Sequence, residues 1–299
     1  MTTEPPAGRG VAFARAALAG NPSDGYGGAV LALTLPAQRA TVRASHAAAP
    51  AVDPPSELVT ATVARFASEY RPATGNATAV SWETTIPRAV GLGGSSAIVV
   101  AALRALAALR SVSIEPLAMA ELALRIEVDD LGIAAGLQDR IAQTHDGLTF
   151  MDFGAPGSAT VDALDTARLP PLLVAWRPDS AGHSGEVHAP LRDRHADGDP
   201  VVLEAMRALT RAAHDAARAV SAGDHAALCA GVDASFDARR SMLALDPRHV
   251  EMIECARAAG ASANYAGSGG AIVAVCRDAE HRGRVQRALR ELRCETLTA

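Results

Sequence analysis

The sequence contains no lysine, so all 28 of its basic side chains are arginine. Codon usage in a GC-rich genome accounts for such a bias. The bias also removes one class of chemistry. Any fixed cation in a site must be a guanidinium, which stays charged and cannot take a proton near neutral pH. Aromatic residues make up only 3% of a chain that is 49% hydrophobic, so the core must be aliphatic. The four cysteines, Cys229, Cys255, Cys276 and Cys294, stand at no CxxC spacing and beside no histidine pair, which argues against a disulfide framework or a structural zinc site. Every apolar run is broken by Gly, Arg or Pro before it reaches the length of a bilayer span. The stretch from Met1 to Gly10 is rich in Pro and Gly and lacks the apolar segment of a secretory leader, so the expectation is a soluble cytoplasmic protein with no membrane partner. A net charge of −5 with mixed signs argues against a nucleic-acid partner bound through a broad basic face. Oligomeric state is left open.

A chain of 299 residues can bury a sizeable core. Apolar runs predict strands at 11–19, 29–35, 77–86, 148–153, 171–176 and 271–276. Helical patterns cover 56–69, 96–109, 116–128, 134–144, 200–221, 224–241, 247–258 and 279–292, with Ser95 or Ser96 as the expected N-cap of the second. Residues 47–55 read as a loop, and 177–200 as a long polar loop. The mixture is α+β, in two layers or lobes, with a boundary near the strand at 171–176.

Three glycine clusters stand out. Gly91-Leu92-Gly93-Gly94-Ser95-Ser96-Ala97 precedes a helix. Small residues expose backbone N–H groups, and the helix N-terminus favours an anion such as phosphate. The GK[ST] ending of a Walker loop is absent, and a plain helix cap explains such a run equally well. Gly267-Ser268-Gly269-Gly270 enters a strand, and residues 20–28 form a third cluster around Asn21, Asp24 and Tyr26. Glu127 and Asp139 flank a glycine-containing stretch. Phosphoryl transfer needs an oxygen ligand for magnesium and uses a carboxylate near the attacking hydroxyl, although solvated helix faces account for most such pairs.

Together these segments resemble the GHMP kinases. The run from Pro87 to Ala97 is similar to the family's phosphate loop, Arg15 to Asp24 to its first motif and Ala266 to Ala271 to its third, in the family order. The resemblance implies a two-lobed α+β fold, with a lobe like ribosomal protein S5 domain 2 over 1–168, binding ATP, and a ferredoxin-like lobe over 169–299. It implies ATP and Mg2+ as cofactors, with Gly91, Leu92, Gly93, Gly94, Ser95, Ser96, Ala97, Gly267, Ser268 and Gly269 around the nucleotide. Asp139 is then the catalytic base or electrostatic partner of the substrate hydroxyl, Arg15 stabilises developing charge, and Ser96 and Glu127 hold the metal.

Asn21-Pro22-Ser23-Asp24, with Ile86-Pro87-Arg88 and Ser184-Gly185-Glu186-Val187-His188, is similar to the glucuronokinase branch. That implies D-glucuronate as substrate and glucuronate 1-phosphate as product. Arginine forks suit a uronate carboxylate, which makes Arg88, Arg192 and Arg194 candidates. Asn21, Asp24, Tyr26 and His188 complete the expected substrate set. Tyr265 departs from the family's third motif, where a glycine stands. Another sugar, a mevalonate-type alcohol, or a silent GHMP-fold sensor are the alternatives.

Overall fold

The computed structural model describes residues 7–70, 77–155, 158–180 and 185–299. The described residues form two compact units, one within 7–14, 35–86 and 93–145, the other within 15–34, 87–92 and 146–299.

Strands β1 (Ala7–Ala19) and β2 (Ala29–Ala47) pair with each other. In the first unit the later half of β2 pairs antiparallel with β4 (Ala77–Thr84), from Ala40 opposite Thr84 to Ala47 opposite Ala77. The short β3 (Ala51–Asp53) lies parallel to β4, inside a stretch expected to be loop. Helix α1 (Glu57–Glu69) starts at Ser56, whose side chain accepts from the Val59 N–H. Helix α2 (Gly94–Arg110) is buried along most of its length, and its aliphatic residues Val99, Val100, Leu103 and Leu106 are at most 2% exposed. Helix α3 (Pro116–Arg125) runs into a π-helical turn, Ile126–Asp130, before α4 (Gln138–His145).

In the second unit the earlier part of β2 pairs with β5 (Leu148–Ala155), which also pairs with β6 (Ser158–Leu164). A separate antiparallel sheet has the order β10-β7-β9-β8, built from β7 (Leu172–Trp176), β8 (Ser262–Tyr265), β9 (Ala271–Val275) and β10 (Glu295–Thr298). Its core joins Leu173, Phe236, Met252, Ile253, Ile272, Val285 and Leu289. The residues expected to loop between 177 and 200 contain helix α5 (Gly185–Ala196), and α6 (Pro200–Ala222), α7 (His225–Met242), α8 (Pro247–Ala258) and α9 (Ala279–Glu291) follow. Asp199, Asp224, Asp246 and Asp278 cap the last four, each side chain accepting backbone N–H groups of the first turn. Among the described residues, no helix is long and apolar enough to cross a membrane.

Candidate active site

The Gly91 end of the first glycine cluster and the entry to the cluster at 267–270 are tied together by a buried polar side chain. Arg15, 4% exposed near the end of β1, donates from one guanidinium nitrogen to the Gly91 carbonyl at 2.7 Å and the Ala266 carbonyl at 2.9 Å. Its own backbone N–H donates to Leu92 O at 3.1 Å, and that of Ala17 to Ala266 O at 2.8 Å. Asn21 is buried and donates to Gly267 O at 3.0 Å. Asn264 donates to Asn21 Oδ1 at 3.3 Å and to Ser235 at 3.2 Å, so it is part of the framework that holds Asn21.

Gly91 packs so closely against the segment that starts at Gly267 that neither Gly91 nor Gly267 can carry a side chain. A Cβ on Gly91 would collide with the Gly269 carbonyl, and one on Gly267 with the Gly91 carbonyl. Gly91 also holds φ at 76° and Gly269 at 138°, conformations that favour glycine. Beneath this segment Arg239, 1% exposed, donates to Gly267 O at 2.8 Å and Ser268 O at 3.0 Å and stands over the Tyr265 ring at 5.0 Å. Burial pushes its guanidinium down to about 10, with Tyr265 and Asp24 opposing that fall and Arg15 adding to it. His249 accepts the Gly270 N–H at 3.3 Å. Burial raises the Tyr265 phenol well above its usual range, and its hydroxyl has no hydrogen-bond partner.

In the first unit the rest of the serine-containing run begins α2. Gly93, at φ 71°, takes the N-cap position expected of Ser95 or Ser96, because the left-handed turn ends the loop two residues earlier. Ser95 is exposed and Ser96 buried; the Ser96 hydroxyl donates to Gly93 O at 3.1 Å. Gln143 on α4 also donates to Gly93 O, at 2.8 Å, and to Phe13 O at 3.0 Å. Glu127 lies within the π turn, fully buried, with Oε2 held by Arg140 through Nε at 2.8 Å and through a second nitrogen. Its Oε1 is buried and has no hydrogen-bond partner. An orphaned carboxylate oxygen is a ligand that a hard cation accepts, so this residue fits a magnesium ion. Asp139 is half-buried in the first turn of α4, where the helix end favours its charge.

The expected substrate residues divide. Tyr26 packs against His195 of α5 with the rings tilted by 47° and their centroids 4.6 Å apart, and its hydroxyl responds, after burial, to the charges of Arg192 and Asp24. Asp24, Tyr26 and Arg192 therefore share one neighbourhood. Arg194 pairs with Asp199 at 2.8 Å, supporting the cap of α6. Arg88 is exposed in the turn before Ala89, which holds φ at 56°. Ser184 lies outside the described residues, as does the side chain of His188. Sequence reasoning missed Arg239, Gln143, Arg140 and His195. The signal for Arg239 was present: Leu228, Val232, Ser235, Phe236, Arg239 and Met242 recur at helical spacing, so the charge falls on the buried stripe of α7.

Comparison with known proteins follows this geometry. The GHMP kinases N terminal domain matches residues 57–147, and the GHMP kinases C terminal domain matches residues 206–293. Glucuronokinase 1 of Arabidopsis thaliana is 38% identical over 207 residues, covering 66% of this chain and 57% of the relative. Probable glucuronokinase 2 of the same plant is 39% identical over 208 residues, covering 66% and 56%. The match thus spans little more than half the length of these curated relatives. The crystal structure of L. major mevalonate kinase in complex with R-mevalonate superposes with a TM-score of 0.77 at 18% identity, over 95% of this chain and 91% of that one.

Proposed function

This chain belongs to the GHMP kinase family, and we propose that it transfers the γ-phosphoryl group of ATP to the anomeric hydroxyl of D-glucuronate, giving glucuronate 1-phosphate. The observation that carries this reading is Arg15, a buried permanent cation set where two glycine segments abut. The likeness to the two glucuronokinases supports the choice of sugar acid.

In this reading the backbone N–H groups at the start of α2 bind phosphate oxygens, favoured by the helix N-terminus. Glu127 Oε1 and the Ser96 hydroxyl would hold magnesium, which when bound neutralises charge on the transferring phosphates. Asp139 takes the proton of the attacking hydroxyl, the oxygen bonds to the γ-phosphorus, and ADP leaves in line. Arg15 stabilises the charge that develops as this occurs. Asp24 and Tyr26 bind sugar hydroxyls, Asn21 is spent on holding Gly267 in place, and Arg192 and Arg88 face the uronate carboxylate.

The test is a coupled assay of ADP release with D-glucuronate, D-galacturonate, D-glucose, D-galactose and mevalonate. Glucuronate should give the highest kcat/KM, and mass spectrometry should find an acid-labile 1-phosphate. Turnover confined to an uncharged sugar or to mevalonate would reject the substrate and keep the kinase. Binding of ATP and sugar without turnover would favour a sensor.

A further inference from the structure

A peptide group is planar and trans, so its N–H points away from the side its carbonyl faces. Three successive carbonyls, of Ala266 and the glycine cluster at 267–270, face inward. That of Ala266 meets Arg15, that of Gly267 meets Asn21 and Arg239, and that of Ser268 meets Arg239. The N–H groups of Gly267, Ser268 and Gly269 are therefore turned to the opposite face together. Consecutive amides aimed one way form an anion-binding concavity. On either side of this run the pattern reverses, because Ala266 donates to Ala271 O at 2.9 Å and Gly270 to His249.

Arg239 is the residue common to this arrangement, and it belongs to none of the three glycine clusters. Its charge is almost completely enclosed. Among the ion pairs of the described residues it has no carboxylate, and its Nε is buried without a hydrogen-bond partner. The neighbouring Arg15 repels it, and two carbonyl oxygens, one ring and the charge of Asp24 are its compensation. A buried cation so weakly compensated is costly to folding unless something anionic arrives to offset it.

We infer that Arg239 is a positioning residue for phosphoryl transfer: it fixes the glycine cluster at 267–270 with its amides outward and supplies the buried positive charge behind an anion bound there. This rests on the kinase reading above, with ATP as the source of the anion. Tyr265, whose bulk replaces the glycine of the family pattern, is then the aromatic wall against which the guanidinium is held. The fork geometry is required, since one planar group must reach two successive carbonyls.

Arg239→Met, similar in volume and uncharged, separates support of the fold from support of the ligand. Without ligand the variant should melt at or above the wild-type temperature, as replacement of a weakly compensated buried charge does. Calorimetry should find ATP bound about tenfold or more weakly, the loss that accompanies removal of a charge-assisted contact network. A lower melting temperature with ATP affinity unchanged would overturn the inference. Should the variant not fold, the wild type decides: the 15Nε signal of Arg239 and the amides of Gly267–Gly269 should all shift on ATP addition. A still Arg239 signal in the presence of bound ATP overturns the inference. If the wild type binds no ATP at all, the kinase reading itself fails and takes this inference with it.

Discussion

The side-chain amide of Asn21 donates to the carbonyl of Gly267 at 3.0 Å, across 246 residues of sequence, and the acceptor oxygen of that same amide receives Asn264. Two asparagines thus hold one glycine in place. Replacing Asn21 by Ala leaves Asn264 one acceptor short and Gly267 with Arg239 alone. The expected loss is about 1–3 kcal/mol, the cost of an unsatisfied buried polar group, read from urea unfolding. A loss within error would mean that water replaces the amide.

Gly91 and Gly94 lie in one run but differ in tolerance. Gly91→Ala meets both a left-handed φ and the Gly269 carbonyl, whereas a Cβ on Gly94 would lie 3.5 Å from Ile86 in ordinary contact. The first should raise the KM for ATP by about tenfold, from strain of roughly 1–3 kcal/mol. The second should leave both KM and stability close to wild type. Steady-state kinetics on the two variants makes the comparison, and equal effects would contradict the packing described for Gly91.

The Glu127–Arg140 pair predicts an asymmetric cycle. Glu127→Gln strands a buried guanidinium and should cost about 3–5 kcal/mol in chemical unfolding. The double variant Glu127→Gln, Arg140→Met should recover most of that stability. It should not recover turnover, because the carboxylate charge proposed to hold the metal is gone. Recovery of both would assign Glu127 a purely structural role.

In the proposed mechanism Asp139→Asn removes the proton acceptor and keeps the shape. ATP should bind normally while kcat falls by about 10²-fold or more, the usual yield of a positioned general base. Rapid-quench and binding measurements on the variant distinguish this outcome from a general loss of nucleotide affinity.

Asp246, the N-cap of α8, titrates at about 2, held down first by the Arg248 side chain and then by the backbone N–H it accepts. A carboxyl whose folded value lies below its unfolded value of about 4 stabilises the fold above pH 4 and loses that contribution as pH falls towards 2. Asp246→Ala should flatten the pH dependence of stability in that window and leave its slope near pH 7 unchanged. Thermal melts at pH 2, 4 and 7 provide the check.

Much of the fold was legible because long helices declare themselves by period and cap. Helix α8 runs from Pro247 to Ala258 as expected, and α1 begins behind Ser56. Strand β2 was expected to stop at 35, before Pro36, yet continues to Ala47; its later half alternates small and polar residues and gains its identity from β4. Strands β8 and β10, four residues each, lack the length to show a period and form because β9 and β7 offer them an edge. In the site, the motif residues were visible as glycines and serines. Their supports were not, since Gln143 and Arg140 lie in an otherwise ordinary helix and acquire meaning only from the carbonyl or carboxylate they reach.

The inward carbonyls of Ala266, Gly267 and Ser268 also bear on protein engineering. A glycine-rich segment carries freedom, not shape; here the shape is stored in Arg15 on β1, Asn21 just after it and Arg239 on α7. Grafting the pentapeptide alone onto another scaffold would transfer the freedom without the conformation. A portable version of this segment must include all three distant donors, which makes it a module of the tertiary structure and not of the sequence.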